Sequence, residues 1–503
     1  METNFIFHSM IILPFLAAVI VYLVGRISLI KGSFHGISIS RALTIFFILV
    51  EIGLFYLVVD AALRSSGVFS QIGEISLMLD GIGLIMTAVV LFLGLMVALF
   101  SVEYMADEKG EEKYHALLLM TIGSIIGLSL TFDLFTLWIW FEAMAVSTFL
   151  LVAFYNDEPL SLEAGFKYLV QSAVGSGLVL FGIALIYSQV GSANFSNIWR
   201  ATSADAPLLA IGGVLLIIGF GVKTALVPLH TWLPDAHSQA PSGISAMLSG
   251  VVIQAGMVAM LRSLSFMGKI DVAWGAVLLA FGCLNILFGN LMALRQNEVK
   301  RMLAYSSLVH VGYMLVGFGF SMQYGQVDGA AGGFFHLATH SMMKGLAFLA
   351  AGALLFALHL KNEEHVPLTL SDLNGASRKY PLVALALSIA VLGLGGLPPL
   401  AGFMSKWQIL VAGATSKEPW MLLVVIFVAL NSVLSLGYYA PLVNRLYRRE
   451  PSAAVEKGKP VPPLMLVPLV LLVIAVVVIG LYPAALNFFT TKAAASFLYP
   501  FFY

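Results

Sequence analysis

The chain has few of the residues on which soluble proteins build their sites. It holds one cysteine, Cys283, among 503 residues, which excludes a disulfide framework and a cysteine-ligated iron–sulfur cluster. Charged residues make up only 10% of the chain, and the formal net charge is +0. A nucleic-acid partner is therefore not expected.

Apolar residues are correspondingly abundant and make up 60% of the chain. Many windows reach the length of roughly 20 mainly apolar residues that crosses a bilayer. The N-terminus carries an acidic residue and an apolar run without a small-residue cleavage site, which is typical of a retained first span and not of a removed signal peptide. These features predict an all-α polytopic membrane protein without a sizeable soluble domain.

The hydropathy pattern predicts about 14 transmembrane helices. They cover residues 6–26, 41–61, 81–102, 114–132, 134–155, 161–187, 207–230, 240–265, 274–294, 301–321, 330–358, 381–412, 421–446 and 463–485. The segment from 487 to 503 is rich in Phe and Tyr, which favours a position at the membrane interface.

Basic residues predict the orientation. Of the 26 Lys and Arg, the loops after odd-numbered spans and their helix ends hold sixteen, and the opposite side holds six. The positive-inside rule then predicts an inner-membrane protein with both termini on the non-cytoplasmic side. The other four are Lys167, Lys223, Lys344 and Lys406, so no arginine is expected within a span. Desolvated lysine can lose its proton, whereas arginine effectively cannot, so this choice is typical of a proton relay.

Lys223 is the single charge in the apolar stretch 207–229, and Pro228 and Pro234 are predicted to break the helix just beyond it. A buried ammonium group is costly and usually marks an ion pathway. A broken helix must lie within protein or beside water. Glu142, the only acid in the span 134–155, is the expected ion-pair partner of Lys223. The alternative is a static pair that only fixes helix packing.

Lys406 follows a second predicted break at Pro398 and Pro399. Two breaks, each with a lysine beside it, indicate two inverted five-helix repeats over spans 4–8 and 9–13; the alternative is that each break is merely a kink. The predicted units are 1–112, 113–265, 266–446 and 447–503.

His336, His340 and Lys344 are spaced i, i+4 and i+8, so they share one face of a helix. Two histidines at i and i+4 can bind a metal, but no further ligand is evident, so no metal is expected. A hydrated proton wire fits better, because histidine titrates near neutral pH and both donates and accepts. His310 in the preceding span can extend the row.

Three other charged or titratable residues are candidates for tuning the path: Lys167, which opens span 6, and His230 and Asp235, which follow Lys223 in the first break. Lys167 either extends to the interface or tunes Glu142. Glu51, in the second span, is a candidate carboxylate facing a neighbouring subunit.

The chain resembles the antiporter-like membrane subunits of respiratory complex I, Mrp-type cation/proton antiporters and group 4 hydrogenases. Lys223–Pro241 carries the most specific similarity, and Val299–Ser307 and His336–Lys344 are also close to the family pattern. The segment 227–241 is most similar to the M-type subunit of complex I. Lys406 and the context 397–403 look more like the D-type chain of Mrp antiporters or hydrogenase-associated subunits.

The resemblance implies a fourteen-helix subunit that moves protons, holds no redox centre and has no cofactor of its own. Redox cofactors and quinone are expected in partner subunits. It places the family's key acid on Glu142, its helix 7 lysine on Lys223, its relay on His336, His340 and Lys344, and its terminal residue on Lys406. The usual lysine of helix 8 is replaced by Gln254.

The leading hypothesis is a proton-translocating subunit of a multi-subunit NADH:quinone oxidoreductase-like complex, without catalysis of its own. The path would run from Lys223 through water at Gln254 to the helix 11 residues and Lys406. A structural subunit that has lost the path and an Mrp-type sodium/proton antiporter subunit are the alternatives.

Overall fold

The fold is described by a computed structural model over residues 2–30, 35–64, 68–72, 75–106, 108–203, 205–359, 366–416 and 418–498. Its helices are α1 (Glu2–Ile30), α2 (His35–Arg64), α3 (Gly81–Tyr104), α4 (Glu111–Leu130), α5 (Leu134–Val152), α6 (Pro159–Val190), α7 (Phe195–Ala201), α8 (Pro207–Thr224), α9 (Trp232–Gln239), α10 (Ser242–Met247), α11 (Ile253–Ser265), α12 (Trp274–Ala293), α13 (Val299–Tyr324), α14 (Val327–His359), α15 (Pro381–Gly395), α16 (Ala401–Ala414), α17 (Pro419–Arg448), α18 (Ala453–Lys457), α19 (Pro463–Leu481) and α20 (Ala484–Leu498). A π-helical turn, Leu248–Val252, joins α10 to α11, and a 3-10 turn covers Ala376–Arg378.

The predicted class, an all-α polytopic membrane protein, is confirmed. In the described part of the chain, 13 helical stretches are long and apolar enough to cross a membrane. The remaining predicted span, 381–412, is split into α15 and α16. A short antiparallel hairpin, β1 (Val68–Ile72) and β2 (Ile75–Leu79), was not predicted and lies between α2 and α3, with Val68 opposite Leu79.

The chain's last described helix, α20, packs into the bundle and does not lie only at the interface. It contacts α3 and α14, and its Ser496 hydroxyl accepts a hydrogen bond from the Gly81 amide at 3.1 Å. Thr490, Ala493 and Ala494 are buried. The residues from 499 to 503 lie outside the described part.

Both predicted breaks are present. After α8, Ala225 takes a left-handed conformation with φ 59°, and the chain resumes as α9 seven residues later. Pro228 lies in this break, whereas Pro234 lies in the first turn of α9, where proline is compatible with a helix. After α15, Gly396 has φ 83°, and Pro398 and Pro399 precede α16. The inverted relation of the two five-helix units stays a prediction.

The expectation that no arginine lies within a span is wrong. Arg262, in α11, is 1% exposed and donates to Asp80 Oδ1 at 2.9 Å and to the Ser129 carbonyl at 3.0 Å. Asp80 also accepts from the Gly83 amide, which caps α3. Arginine is tolerated here because the aspartate neutralises it, and the pair joins α11 to the start of α3 and the end of α4.

Replacing Arg262 by methionine should destabilise the protein by about 3–5 kcal/mol, because the Asp80 carboxylate is left buried and uncompensated. Adding Asp80→Asn should recover part of this loss, since asparagine remains a good helix cap. Thermal unfolding of the detergent-purified protein measures both, with Arg200→Met as a surface control. A double variant as unstable as the single one would contradict this account.

Candidate functional site

Lys223 lies in the last turn of α8 and is 1% exposed. Its Nζ donates to the Tyr168 hydroxyl at 2.8 Å and to Ser172 Oγ at 3.4 Å. The ammonium group also lies 4.3 Å from the centroid of the Tyr168 ring, a cation–π distance. Both hydroxyl partners come from α6, so the lysine bridges two helices of the first predicted repeat.

Tyr168 is held rigidly on both sides. Its ring stacks on Trp232 with centroids 4.0 Å apart, and its hydroxyl is 2.9 Å from Thr148 Oγ1 on α5. Trp232 Nε1 donates at 2.8 Å to the carbonyl of Val222, one residue before Lys223. These contacts close the break around the lysine. Sequence reasoning missed both aromatic residues, although a tyrosine directly after Lys167 and a tryptophan in the break were visible signals.

Glu142 does not form the expected direct contact. Among the described residues Lys223 has no ion pair with it, and Glu142 Oε1 is buried without a hydrogen-bond partner. The carboxylate still acts on the lysine through space as its electrostatic neighbour. The Lys223 ammonium group is instead hydrogen-bonded to the Tyr168 hydroxyl, which is itself positioned by Thr148.

A residue from the second half of the chain, Asn285, also binds the backbone of the first break. Asn285 of α12 accepts a hydrogen bond from the Val227 amide at 2.8 Å and donates to the Ala225 carbonyl at 3.2 Å. An interrupted helix frees backbone groups that lipid cannot satisfy. Asn285 satisfies two of them, and it too was missed in the sequence.

Gln254 lies two residues into α11, directly after the π-helical turn. Its Nε2 donates to His340 Nδ1 at 2.8 Å and to the Leu337 carbonyl at 3.0 Å. Its Oε1 accepts from the Ser341 hydroxyl at 2.9 Å. The amide therefore contacts α14 directly, where water had been expected between them.

The predicted histidine row is brought together with His310. His310 Nδ1 is 2.9 Å from His336 Nε2, and His336 Nδ1 is 2.7 Å from Ser405 Oγ. The ring centroid of His340 lies 5.1 Å from that of His310. All three imidazoles are fully or almost fully buried, so they form one cluster between α13 and α14.

Lys406 lies beside this cluster, at the second break. Its Nζ donates to the Leu394 carbonyl at 2.8 Å and to Ser432 Oγ at 2.9 Å, and it lies 4.7 Å from the Tyr313 ring centroid. A Cβ added to Gly396 would come within 3.3 Å of this Nζ. Glycine is required there both by the positive φ and by the close approach of the lysine.

Lys344 occupies a different position from the one expected. It donates to the Leu303 carbonyl at 2.6 Å and to the Ser306 hydroxyl, near the start of α13. Gln254 contacts His340, the middle member of the row, and His336 is the member next to Lys406. The expected order ran from Gln254 through His336, His340 and Lys344 to Lys406, and the order of proton transfer stays a prediction.

A charged cluster joins α6, α9 and α13 at the end of the bundle where α6 begins. Asp235 accepts from Lys167 at 2.9 Å and from Arg301 at 2.7 Å. Burial alone would raise the pKa of Asp235, but the hydrogen bonds from these two cations outweigh it and hold the pKa below its usual value. Lys167 also pairs with Glu163 and is 44% exposed. These contacts favour an interfacial position for Lys167 over a role in tuning Glu142.

Two other predicted candidates lie apart from these contacts. His230, in the first break, is half-buried, and its Nδ1 has no hydrogen-bond partner. Glu51 is 2% exposed and both of its carboxylate oxygens are buried without a partner. The expectation that Glu51 faces a neighbouring subunit is therefore wrong. No group of three or more His, Cys, Asp or Glu in the described ranges is arranged to hold a metal ion.

Asp235→Asn should lower the stability by about 1 kcal/mol at pH 7. Because the folded-state pKa is depressed, this stabilisation is fully present above the unfolded pKa and disappears as the pH falls through the folded value. The difference from wild type should thus shrink below about pH 4. Thermal unfolding between pH 3 and 7 measures it, with Asp157→Asn at an exposed ion pair as the control. A difference that is independent of pH would contradict the ionic origin.

Residues 131–435 match the family described as NADH:quinone oxidoreductase/Mrp antiporter, transmembrane. The chain belongs to this family. Residues 71–115 match the family described as the N-terminus of chain 5 of NADH-ubiquinone oxidoreductase (complex I). The chain is thus an antiporter-like membrane subunit, as its sequence predicted.

Several family members are similar over most of their length. The F(420)H(2) dehydrogenase subunit N of Methanosarcina mazei is 32% identical over 425 residues, 83% of this chain and 84% of that one. The NADH-quinone oxidoreductase subunit N of Desulforudis audaxviator is 31% identical over 81% of this chain and 82% of its own. A chain of an archaeal membrane-bound sulfane sulfur reductase superposes with a TM-score of 0.87 at 27% identity, covering 98% of this chain and 97% of that one.

Proposed function

We propose that this antiporter-family chain translocates protons as one membrane subunit of a multi-subunit, redox-driven complex. The observation that carries the proposal is the buried series of proton-capable side chains that begins at His340, beside Gln254, and continues through His310 and His336 to Ser405 and Lys406. Ionisable groups inside a membrane are costly to insert and mark ion pathways by default. The relatives named above are subunits of such complexes, and partner membrane subunits, redox cofactors and quinone follow for this chain by analogy.

The path begins at Lys223. Its ammonium group is bound by Tyr168 and Ser172 and is subject to the field of Glu142. A change of charge in a neighbouring subunit alters that field, and the lysine then releases its proton toward α11. Gly256 of α11 lies against the Lys223 and Thr224 backbone turn, where an added Cβ would be 3.0 Å from Lys223 Cβ. In this mechanism water carries the proton from the Lys223 amine to His340, beside Gln254.

The second half of the path contains two direct hydrogen bonds. His310 and His336 are hydrogen-bonded, and His336 reaches Ser405, the residue before Lys406. Histidine passes a proton by accepting on one nitrogen and donating from the other. Lys406 then delivers the proton toward the side on which we place both termini, the non-cytoplasmic side of the inner membrane.

Lys223→Ala and Glu142→Ala should each abolish proton transport while the subunit still assembles. The first removes the proton carrier, and the second removes the charge that holds the carrier protonated. Acidification of vesicles that contain the purified complex, driven by its redox substrate, measures transport, and co-purification measures assembly. Lys109→Ala, at a lysine side chain that is 94% exposed, is the matched control. Normal pumping by an assembled Glu142→Ala complex would refute the mechanism.

Gln254→Lys distinguishes a working path from a subunit that only keeps the fold. In a working path the new ammonium group would be buried against His340 and near Lys344, where like charges raise each other's cost, so transport should fall. The same vesicle assay decides. A gain in transport would mean that glutamine had interrupted the path and that the native role is structural.

A further inference from the structure

The Leu337 carbonyl determines the orientation of the Gln254 side-chain amide. The Leu337 carbonyl can only accept a hydrogen bond, so the Gln254 atom 3.0 Å away from it must be the NH₂ group. The opposite end of the amide then presents Oε1 to the Ser341 hydroxyl at 2.9 Å. Gln254 is fully buried, with 0% exposure.

This orientation determines which nitrogen of His340 carries the proton. The Gln254 NH₂ group lies 2.8 Å from His340 Nδ1. An amide nitrogen donates and does not accept, so Nδ1 must be the unprotonated, accepting nitrogen. The neutral ring therefore carries its proton on Nε2.

His340 Nε2 is buried without a hydrogen-bond partner. The centroids of the neighbouring imidazoles, His310 and His336, are 5.1 and 6.2 Å from the His340 centroid, and Lys344 lies one turn further along α14. Within the described chain no carboxylate forms an ion pair with His340. The ionisable neighbours named here, His310, His336 and Lys344, are all basic.

We propose that Gln254 is a positioning residue that holds His340 in the Nε2–H tautomer and closes its Nδ1 side to protons for as long as the amide keeps this orientation. If Nδ1 bound a proton, two donors, Nδ1–H and the Gln254 NH₂ group, would face each other. Proton uptake at Nδ1 therefore requires the amide to rotate by half a turn. Rotation would place Oε1 against the Leu337 carbonyl, two acceptors facing each other, so the closed orientation is the resting one.

The tautomer can be measured in the wild-type complex without any functional assay. Solid-state NMR of the complex with ¹⁵N-labelled histidine should show a neutral ring protonated at Nε2, identified as the signal lost in a His340→Gln complex. A His340 signal protonated at Nδ1, or at both nitrogens at neutral pH, would overturn the proposal. This result is independent of transport, so it separates this inference from the proposed function on which its consequence for pumping rests.

Gln254→Glu tests the direction of the hydrogen bond while preserving the size of the side chain. A carboxylate accepts from Nδ1, so His340 should become protonated at Nδ1, and proton transport should slow roughly tenfold or more because the proton is retained by a charge-assisted hydrogen bond. Gln254→Met keeps the length without polar atoms. It should release the constraint, so that both tautomers appear, and should slow transport less than the glutamate does.

Gln189→Glu, at an exposed position on α6, is the matched control and should change neither the tautomer nor the rate. An unaltered His340 tautomer in the Gln254→Glu complex would overturn the proposal. Equal slowing by the methionine and glutamate variants would overturn it as well, since packing and not hydrogen-bond direction would then be the cause. A wild-type complex that transports no protons would refute the proposed function and leave the measured tautomer as it is.

Discussion

Within a bilayer, every backbone group that a helix releases must find its partner inside the protein. Two spans of this chain are interrupted, and the groups they release are satisfied by side chains. Trp232 binds the Val222 carbonyl, Asn285 binds the Ala225 carbonyl, and Lys406 binds the Leu394 carbonyl. At the second break the buried cation itself supplies the polar partner that the freed backbone lacks, whereas at the first break an indole and an amide supply it beside the cation.

The two lysines use this constraint differently. Lys406 takes a freed carbonyl directly, and Gly396 makes room for its amine. Lys223 binds hydroxyl groups of α6, while the freed backbone at its break is satisfied by an indole and an amide. A hydroxyl group both donates and accepts, so the first lysine can keep its partners in either protonation state. A carbonyl only accepts, but Lys406 has a hydroxyl partner as well, that of Ser432.

Much of this arrangement could be predicted from the sequence. Apolar length gave the spans, Pro228 and the pair Pro398 and Pro399 marked the breaks, and helical spacing placed His336 and His340 on one face. Contacts between distant segments could not be predicted, since nothing local marks them. The Arg262–Asp80 pair joins residues 182 apart, and Tyr168 meets Trp232 only because the chain folds back. For the same reason Gln254 was recognised as a departure from the family, but not as a partner of His340.

Asn285 also shows how the halves of the chain depend on each other. It belongs to α12, the first helix of the second predicted unit, yet it hydrogen-bonds the break of the first. One turn further along α12, Asn290 donates to the Asn431 carbonyl, next to the serine that binds Lys406. A single helix, α12, thus contributes hydrogen-bonding side chains near both lysine sites. Neither half is self-sufficient, and a gene split at the boundary between the units would need to bring both fragments together before either site could form.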